Sequence, residues 1–129
     1  MARKALHRIL YVEDEQDIQE IARMSLETVG GFAVKTCSSG AEAVEVAPKF
    51  KADIILLDVM MPGMDGMTTL GELRKIPALA ETPVVFVTAR VQRHDIDEYL
   101  RTGAAAVITK PFDPMQLPNE IRAIWEQLP

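Results

Sequence analysis

The chain has 129 residues, of which 48% are hydrophobic and 26% charged, and a formal net charge of -5. One domain of that size buries about two-thirds of its unfolded surface and needs no metal or disulfide staple, and its composition excludes a disordered tail protein. A single cysteine, Cys37, excludes an internal disulfide and a multi-cysteine metal site, 19 acidic against 14 basic residues argue against a non-specific DNA binder, and no apolar run approaches a membrane span.

Met1 to Arg8 carries positive charge, but Glu13, Asp14 and Glu15 break off the apolar run after it, so no signal-type stretch is read there. The expectation is a soluble cytoplasmic domain over residues 1–129, with its core at about 8–126 and with neither nucleic acid nor membrane as a direct partner. Ile9 to Val12 reads as a strand. Glu15 to Thr28 reads as a helix with Ile18, Ile21, Ala22, Ser25, Leu26 and Val29 at helical spacing, Asp14 as its cap and Gly30-Gly31 as its stop. Phe32 to Cys37 is a second strand. Ser39 caps a short helix over Ala41 to Ala47, which Pro48 ends. Ile54 to Leu57 is a continuous apolar run, the mark of a central strand buried on both faces, and it stops at Asp58.

Met60 to Gly66 is turn-rich, and Met67 to Ile76 is a third helix with Leu70 and Leu73 inward. Val84 to Val87 is a fourth strand ending at Thr88. A polar helix spans Arg93 to Arg101, with Ile96, Tyr99 and Leu100 as its apolar side and Gly103 as its stop. Ala105 to Ile108 is a fifth strand. The last helix spans Met115 to Gln127, with Pro118 in its first turn, where a missing N–H costs little. Five strands alternate strictly with five helices, which calls for an α/β domain: a doubly wound, five-stranded parallel sheet covered on both faces.

In such a sheet, function collects outside the C-terminal ends of the strands. Here those ends are Glu13-Asp14, Asp58, Thr88 and Thr109-Lys110. Taken singly, each acid is a helix cap or surface group and the lysine a solvated cation, a reading that suits Asp14 well. It suits Asp58 less, because a carboxylate directly after four apolar residues needs neighbours to offset its desolvation. Clustered carboxylates repel unless a cation joins them, and Mg2+, which takes oxygen ligands and commonly bridges to phosphate, is the natural choice. With Lys110 as a fixed positive charge and Thr88 as a hydroxyl donor, the set suits in-line phosphoryl transfer onto a carboxylate. Spacing alone supports a divalent-metal carboxylate site without naming a phosphoacceptor.

The ordered motifs Ile9-Leu10-Tyr11-Val12-Glu13-Asp14-Glu15, Ile55 to Gly66, Val87-Thr88-Ala89, Gly103-Ala104 and Lys110-Pro111-Phe112 span nearly the whole chain. In that order, the chain resembles the receiver (CheY-like) domain of bacterial two-component response regulators. The resemblance implies a flavodoxin-like sheet of strand order 2-1-3-4-5. It implies that Asp58 accepts a phosphoryl group from a sensor histidine kinase or phosphotransfer protein. Asp14, Asp58 and the backbone carbonyl of Met60 would hold Mg2+ (Mn2+ as the alternative), with Glu13 acting through water. Thr88 would swing toward the phosphoryl group, Lys110 would pair with it, and the Lys110-Pro111 bond would be cis.

Some positions depart from the family's commonest pattern. Glu13 stands where Asp is also frequent. Val107 stands three residues before Lys110, where the family usually places Tyr or Phe, and a stiff, small valine offers no aromatic gate. Tyr99 replaces a residue that is usually small; it is read as surface packing, with a place in a binding face or as a stand-in aromatic as the alternative. Met60, Ala89 and Arg90 flank the approach to Asp58, Met60 to hinder attacking water and Arg90 to hold an anion or partner; the alternative leaves neither of these two on the phosphoryl group at rest. Cys37 is read as an inert thiol, His7 and His94 as surface groups, and Trp125 as a core anchor.

The expectation is a phosphorylation-dependent signalling switch, not an enzyme on external substrates. It would be a stand-alone receiver read by a downstream protein on the face of its fourth helix, fifth strand and fifth helix, with a homodimer compatible. The alternatives are a receiver fragment of a longer regulator with DNA-binding or enzymatic output, and a degenerate receiver serving as a constitutive interaction module. A flavin-binding protein of similar layering is disfavoured, because Glu13-Asp14-Glu15 stands where a phosphate loop is needed.

Overall fold

Four consecutive apolar residues leave a strand no solvent face, and the computed structural model, which describes residues 4–129, buries every residue of β3 (Ile54–Asp58). Parallel to it on one side lies β1 (Arg8–Val12), then β2 (Ala33–Cys37) at the edge. On the other side lie β4 (Val84–Thr88) and β5 (Ala106–Thr109). The strand order is 2-1-3-4-5, the doubly wound α/β arrangement expected from the alternation and the resemblance. Residues 1–3, part of the basic N-terminal stretch, lie outside the described residues.

The pleat divides the core into two layers. Leu10, Ile55, Leu57, Val84 and Phe86 point toward α2 (Gly40–Phe50), α3 (Gly66–Arg74) and α4 (Arg93–Thr102). Ile9, Tyr11, Leu56, Val85 and Val87 point toward α1 (Gln16–Met24) and α5 (Leu117–Gln127), where Trp125 is buried and donates its indole N–H to the Lys4 carbonyl at 2.8 Å. The start of β1 is held by Asp53, which accepts the N–H groups of His7 and Arg8 at 3.0 and 2.9 Å and pairs with Lys4 at 2.9 Å.

The caps are partly as read. Ser39 accepts the Glu42 N–H at 3.1 Å, and Asp65 accepts the Thr68 N–H at 2.8 Å to open α3. Asp14 does not cap α1: Glu15 is its N-cap, with no side-chain bond, and a carboxylate oxygen of Asp14 lies instead in the acidic cluster at the strand tips. Pro48 does not end α2. It lies in the last turn, where it forfeits one backbone bond, and the helix runs on to Phe50 and stops at Lys51, which is left-handed at φ 57°.

After Met24 the first helix widens into a π-helical segment, Ser25–Val29, before Gly31 turns the chain at φ 76°. The wider turn breaks the apolar stripe: Ala22 and Leu26 are buried, whereas Ile21 and Val29 are each 47% exposed. It also buries Ser25, whose hydroxyl donates to the Pro114 carbonyl at 2.5 Å and ties this helix to the β5–α5 loop. That loop ends in a turn in which Asp113 accepts the Met115 N–H at 2.9 Å, so α5 starts at Leu117 and Met115 is exposed.

Candidate functional site

Parallel strands carry their C-terminal ends to one edge, and short connections leave that edge open. Glu13 and Asp14 follow β1, Asp58 ends β3, Thr88 ends β4 and Lys110 follows β5. One carboxylate oxygen from each of Glu13, Asp14 and Asp58 lies within 4.8 Å of the others. Lys110 reaches into this group: its Nζ is 2.5 Å from Glu13 Oε1 and 3.2 Å from Asp58 Oδ2. Glu13 is fully buried, Asp58 nearly so, and Asp14 half-buried.

Backbone groups complete the carboxylates. The Met60 N–H donates to Asp58 Oδ1 at 3.1 Å and the Glu15 N–H to Glu13 Oε2 at 3.2 Å. Gln19 clamps the end of β1 to β2 by donating to the carbonyls of Glu13 and Cys37 at 2.8 and 3.2 Å. Gly66 is required by close approach: a Cβ there would stand 2.5 Å from the Asp58 carbonyl and 2.7 Å from Val59 Cα. The Lys110–Pro111 bond is cis.

Burial pushes the Glu13 carboxyl up to about 7; the Lys110 and Glu15 contacts pull against it, and Asp58 adds to it. Burial alone would lower the Lys110 ammonium, but its contacts with Glu13 and Asp58 outweigh that and hold it above the ordinary lysine range. The lysine is thus a permanent cation, and its charge compensates the buried acids. Three hard oxygen donors converging at one edge form a set that could hold a metal ion.

Thr88 is buried at the tip of β4, where its hydroxyl accepts the Arg90 N–H at 3.1 Å and bonds to no member of the acidic cluster. Met60 is 58% exposed beside Asp58 and, with Arg90, Asp95 and Tyr99, lines a cleft of about 580 Å³. Ala89 and Arg90 are exposed. Val107 is half-buried, paired across the sheet with Phe86. The surface reading of Tyr99 is corrected: the side chain is 4% exposed and packs edge-on against Phe86, ring centroids 5.3 Å apart, because α4 turns this face onto the sheet. Leu100, expected on the same apolar side, is 46% exposed. The sequence reading did not assign Gln19 a role, and it placed Gly66 only in a turn and a motif, without the close approach that requires it. Gly66 alone carried a signal, a glycine directly after Asp65 in the turn beyond β3.

A flavodoxin-like sheet whose open edge gathers three carboxylates and a lysine defines a class, an α/β domain with an acidic cluster at the C-terminal ends of its strands that could hold a cation. The chain belongs to the response regulator receiver domain family, which it matches over residues 9–122. Its acidic cluster and Lys110 are the arrangement with which receiver domains carry out phosphoryl-transfer signalling, as phosphoacceptor switches and not as enzymes on external substrates.

Similar curated proteins include the probable transcriptional regulator ycf27 of Cyanidium caldarium, 34% identical over 97% of this chain and 49% of the relative. The response regulator PleD of Caulobacter vibrioides is 38% identical over 91% of this chain and 26% of the relative. The chain therefore spans about half or less of these relatives. Among solved structures, the chemotaxis protein CheY4 of Vibrio cholerae superposes with a TM-score of 0.86 at 28% identity, covering 93% of this chain and 99% of that one. A response regulator from Desulfuromonas acetoxidans gives 0.85 at 27% identity, covering 95% and 99%. No helix among the described residues is long and apolar enough to cross a membrane.

Proposed function

We propose that Asp58 is the phosphoacceptor of a signalling switch. The observation that carries this reading is the Lys110 ammonium set between Glu13 and Asp58, beside a third carboxylate, at the edge where the sheet opens. An ionised Asp58 needs no base. One of its carboxylate oxygens attacks phosphorus in line, the bond from phosphorus to the donor nitrogen or oxygen breaks, and the leaving group takes up a proton. Lys110 neutralises the equatorial oxygens, and Thr88 gives up its bond from Arg90 to donate its hydroxyl to the phosphoryl group.

The donor set fits Mg2+, with Mn2+ as the alternative: Asp14, Asp58 and the Met60 carbonyl would bind it, and Glu13 would act through water. Bound there, the cation would withdraw negative charge from a phosphoryl group. Met60, exposed over Asp58, shields it from water, and Arg90 stands at the mouth of the cleft to hold an anion or a partner.

The donor is a histidine kinase or phosphotransfer protein, in keeping with membership of the receiver family. The output face is α4, β5 and α5, where exposed Leu100 offers an apolar contact. A second reading, a receiver within a longer regulator, is favoured by the share of the curated relatives that the chain spans. Acetyl phosphate with Mg2+ should raise the intact mass by one phosphoryl group, and D58N should abolish the gain. An unchanged wild-type mass would leave only a constitutive interaction module.

A further inference from the structure

Tyr11 is fully buried, and its hydroxyl has no hydrogen-bond partner among the described residues. Buried hydroxyls are nearly always paired, because an unmade bond costs free energy that a phenylalanine of the same shape would not. The side chain lies on the face of the sheet that packs against α1 and α5. Glu13 is two residues further on, just past the end of β1, where its N–H still pairs with the Cys37 carbonyl at 2.9 Å, and the alternation of the strand carried one step on puts it on the same side as Tyr11. Across the sheet Tyr11 pairs with Leu56, two residues before Asp58. Two residues of a strand span about 6.6 Å, which a tyrosine ring can bridge. Burial, then the charges of Glu13 and Asp58, push the ionisation of this hydroxyl far above the ordinary tyrosine range, so it is only ever a neutral donor. It is a donor beneath the acidic site with no acceptor among the described residues.

Glu13 has the complementary difficulty. It is fully buried, and its Oε1 is ion-paired with Lys110 but accepts no hydrogen bond of normal geometry among the described residues. If Lys110 moves to a phosphoryl group on Asp58, that oxygen keeps its burial and loses its cation. We propose that Tyr11 is a positioning residue of this site: its hydroxyl is held in reserve and donates to Glu13 when Lys110 leaves it. The inference rests on the phosphoacceptor reading, since only that reading draws the lysine away.

The test is Tyr11→Phe, which removes the hydroxyl and keeps the ring. In the metal-free protein the melting temperature should stay level or rise, because no bond is lost. Binding of fluoroberyllate with Mg2+, a phosphoryl mimic read by calorimetry, should weaken by about tenfold relative to wild type. In a Lys110→Met background, where Glu13 has already lost the ammonium, the same change should lower the metal-free melting temperature. Equal fluoroberyllate affinity in wild type and Y11F, or a lower melting temperature of metal-free Y11F alone, would overturn the proposal. A wild-type protein that gains no phosphoryl mass would instead overturn the reading beneath it.

Discussion

Lys110 Nζ lies 2.5 Å from Glu13 Oε1, nearer than the 3.2 Å that separates it from Asp58. In this state the lysine is first the counter-ion of the buried Glu13 and only second a partner of Asp58, the phosphoacceptor candidate. Its charge offsets two buried carboxylates that would otherwise repel each other.

Removing the ammonium should therefore cost stability as well as chemistry. We expect Lys110→Met to destabilise the metal-free domain by about 2 kcal/mol, less than a fully buried pair because Glu13 can take a proton instead. Adding Glu13→Gln should recover most of that loss, a coupling that a double-mutant cycle in urea measures. Strictly additive effects would mean that the ion pair is energetically idle.

Gly66 lets α3 start directly beneath the tip of β3. A methyl group there would meet the Asp58 carbonyl at 2.5 Å and Val59 Cα at 2.7 Å, and backbone atoms cannot step aside cheaply. Gly66→Ala should cost about 2 kcal/mol and slow the gain of phosphoryl mass with acetyl phosphate. Wild-type behaviour in both assays would separate this approach from the site.

Tyr99 is a core residue of α4. Tyr99→Ala should cost about 3 kcal/mol in urea unfolding, as expected for loss of a buried aromatic ring. A surface tyrosine would cost within about 0.5 kcal/mol. The same variant should enlarge the cleft shared with Met60 and Arg90, which a crystal structure would show directly.

Cys37 closes β2 against the core at 1% exposure. Burial, with the Glu42 charge adding and the Lys35 charge opposing, pushes its thiol from the ordinary 9.0 up to about 12. A pKa raised in the folded state means the stabilisation is complete below about pH 9 and lost as pH climbs toward 12. Iodoacetamide at pH 8 should alkylate the native protein two to three orders of magnitude, about 100- to 1000-fold, more slowly than the urea-unfolded chain. Comparable rates would mean the β2 edge opens freely.

The fold was legible because its signals are local. An uninterrupted Ile54 to Leu57 demands burial on both faces, and alternation with amphipathic stretches leaves a parallel sheet as the economical solution. The acids and lysine at the strand ends were legible for the same reason: parallel strands deliver their termini to one edge whatever the loops between them do. Pro48 and Asp14 were misread for different reasons: the helix tolerates the one bond that Pro48 forfeits, and α1 starts one residue later than a cap at Asp14 requires, with Glu15 as its N-cap.

By itself, the order of residues determined the sheet, the edge that carries chemistry and the residue types gathered there, since periodicity and chain direction are properties of a single strand or helix. Only the closed tertiary structure decided that Lys110 rests on Glu13, that Tyr99 turns inward onto Phe86, and that the Tyr11 hydroxyl has no hydrogen-bond partner among the described residues. Those are relations between side chains far apart in sequence, and no local pattern encodes which of several polar groups a buried donor will meet until the layers have packed.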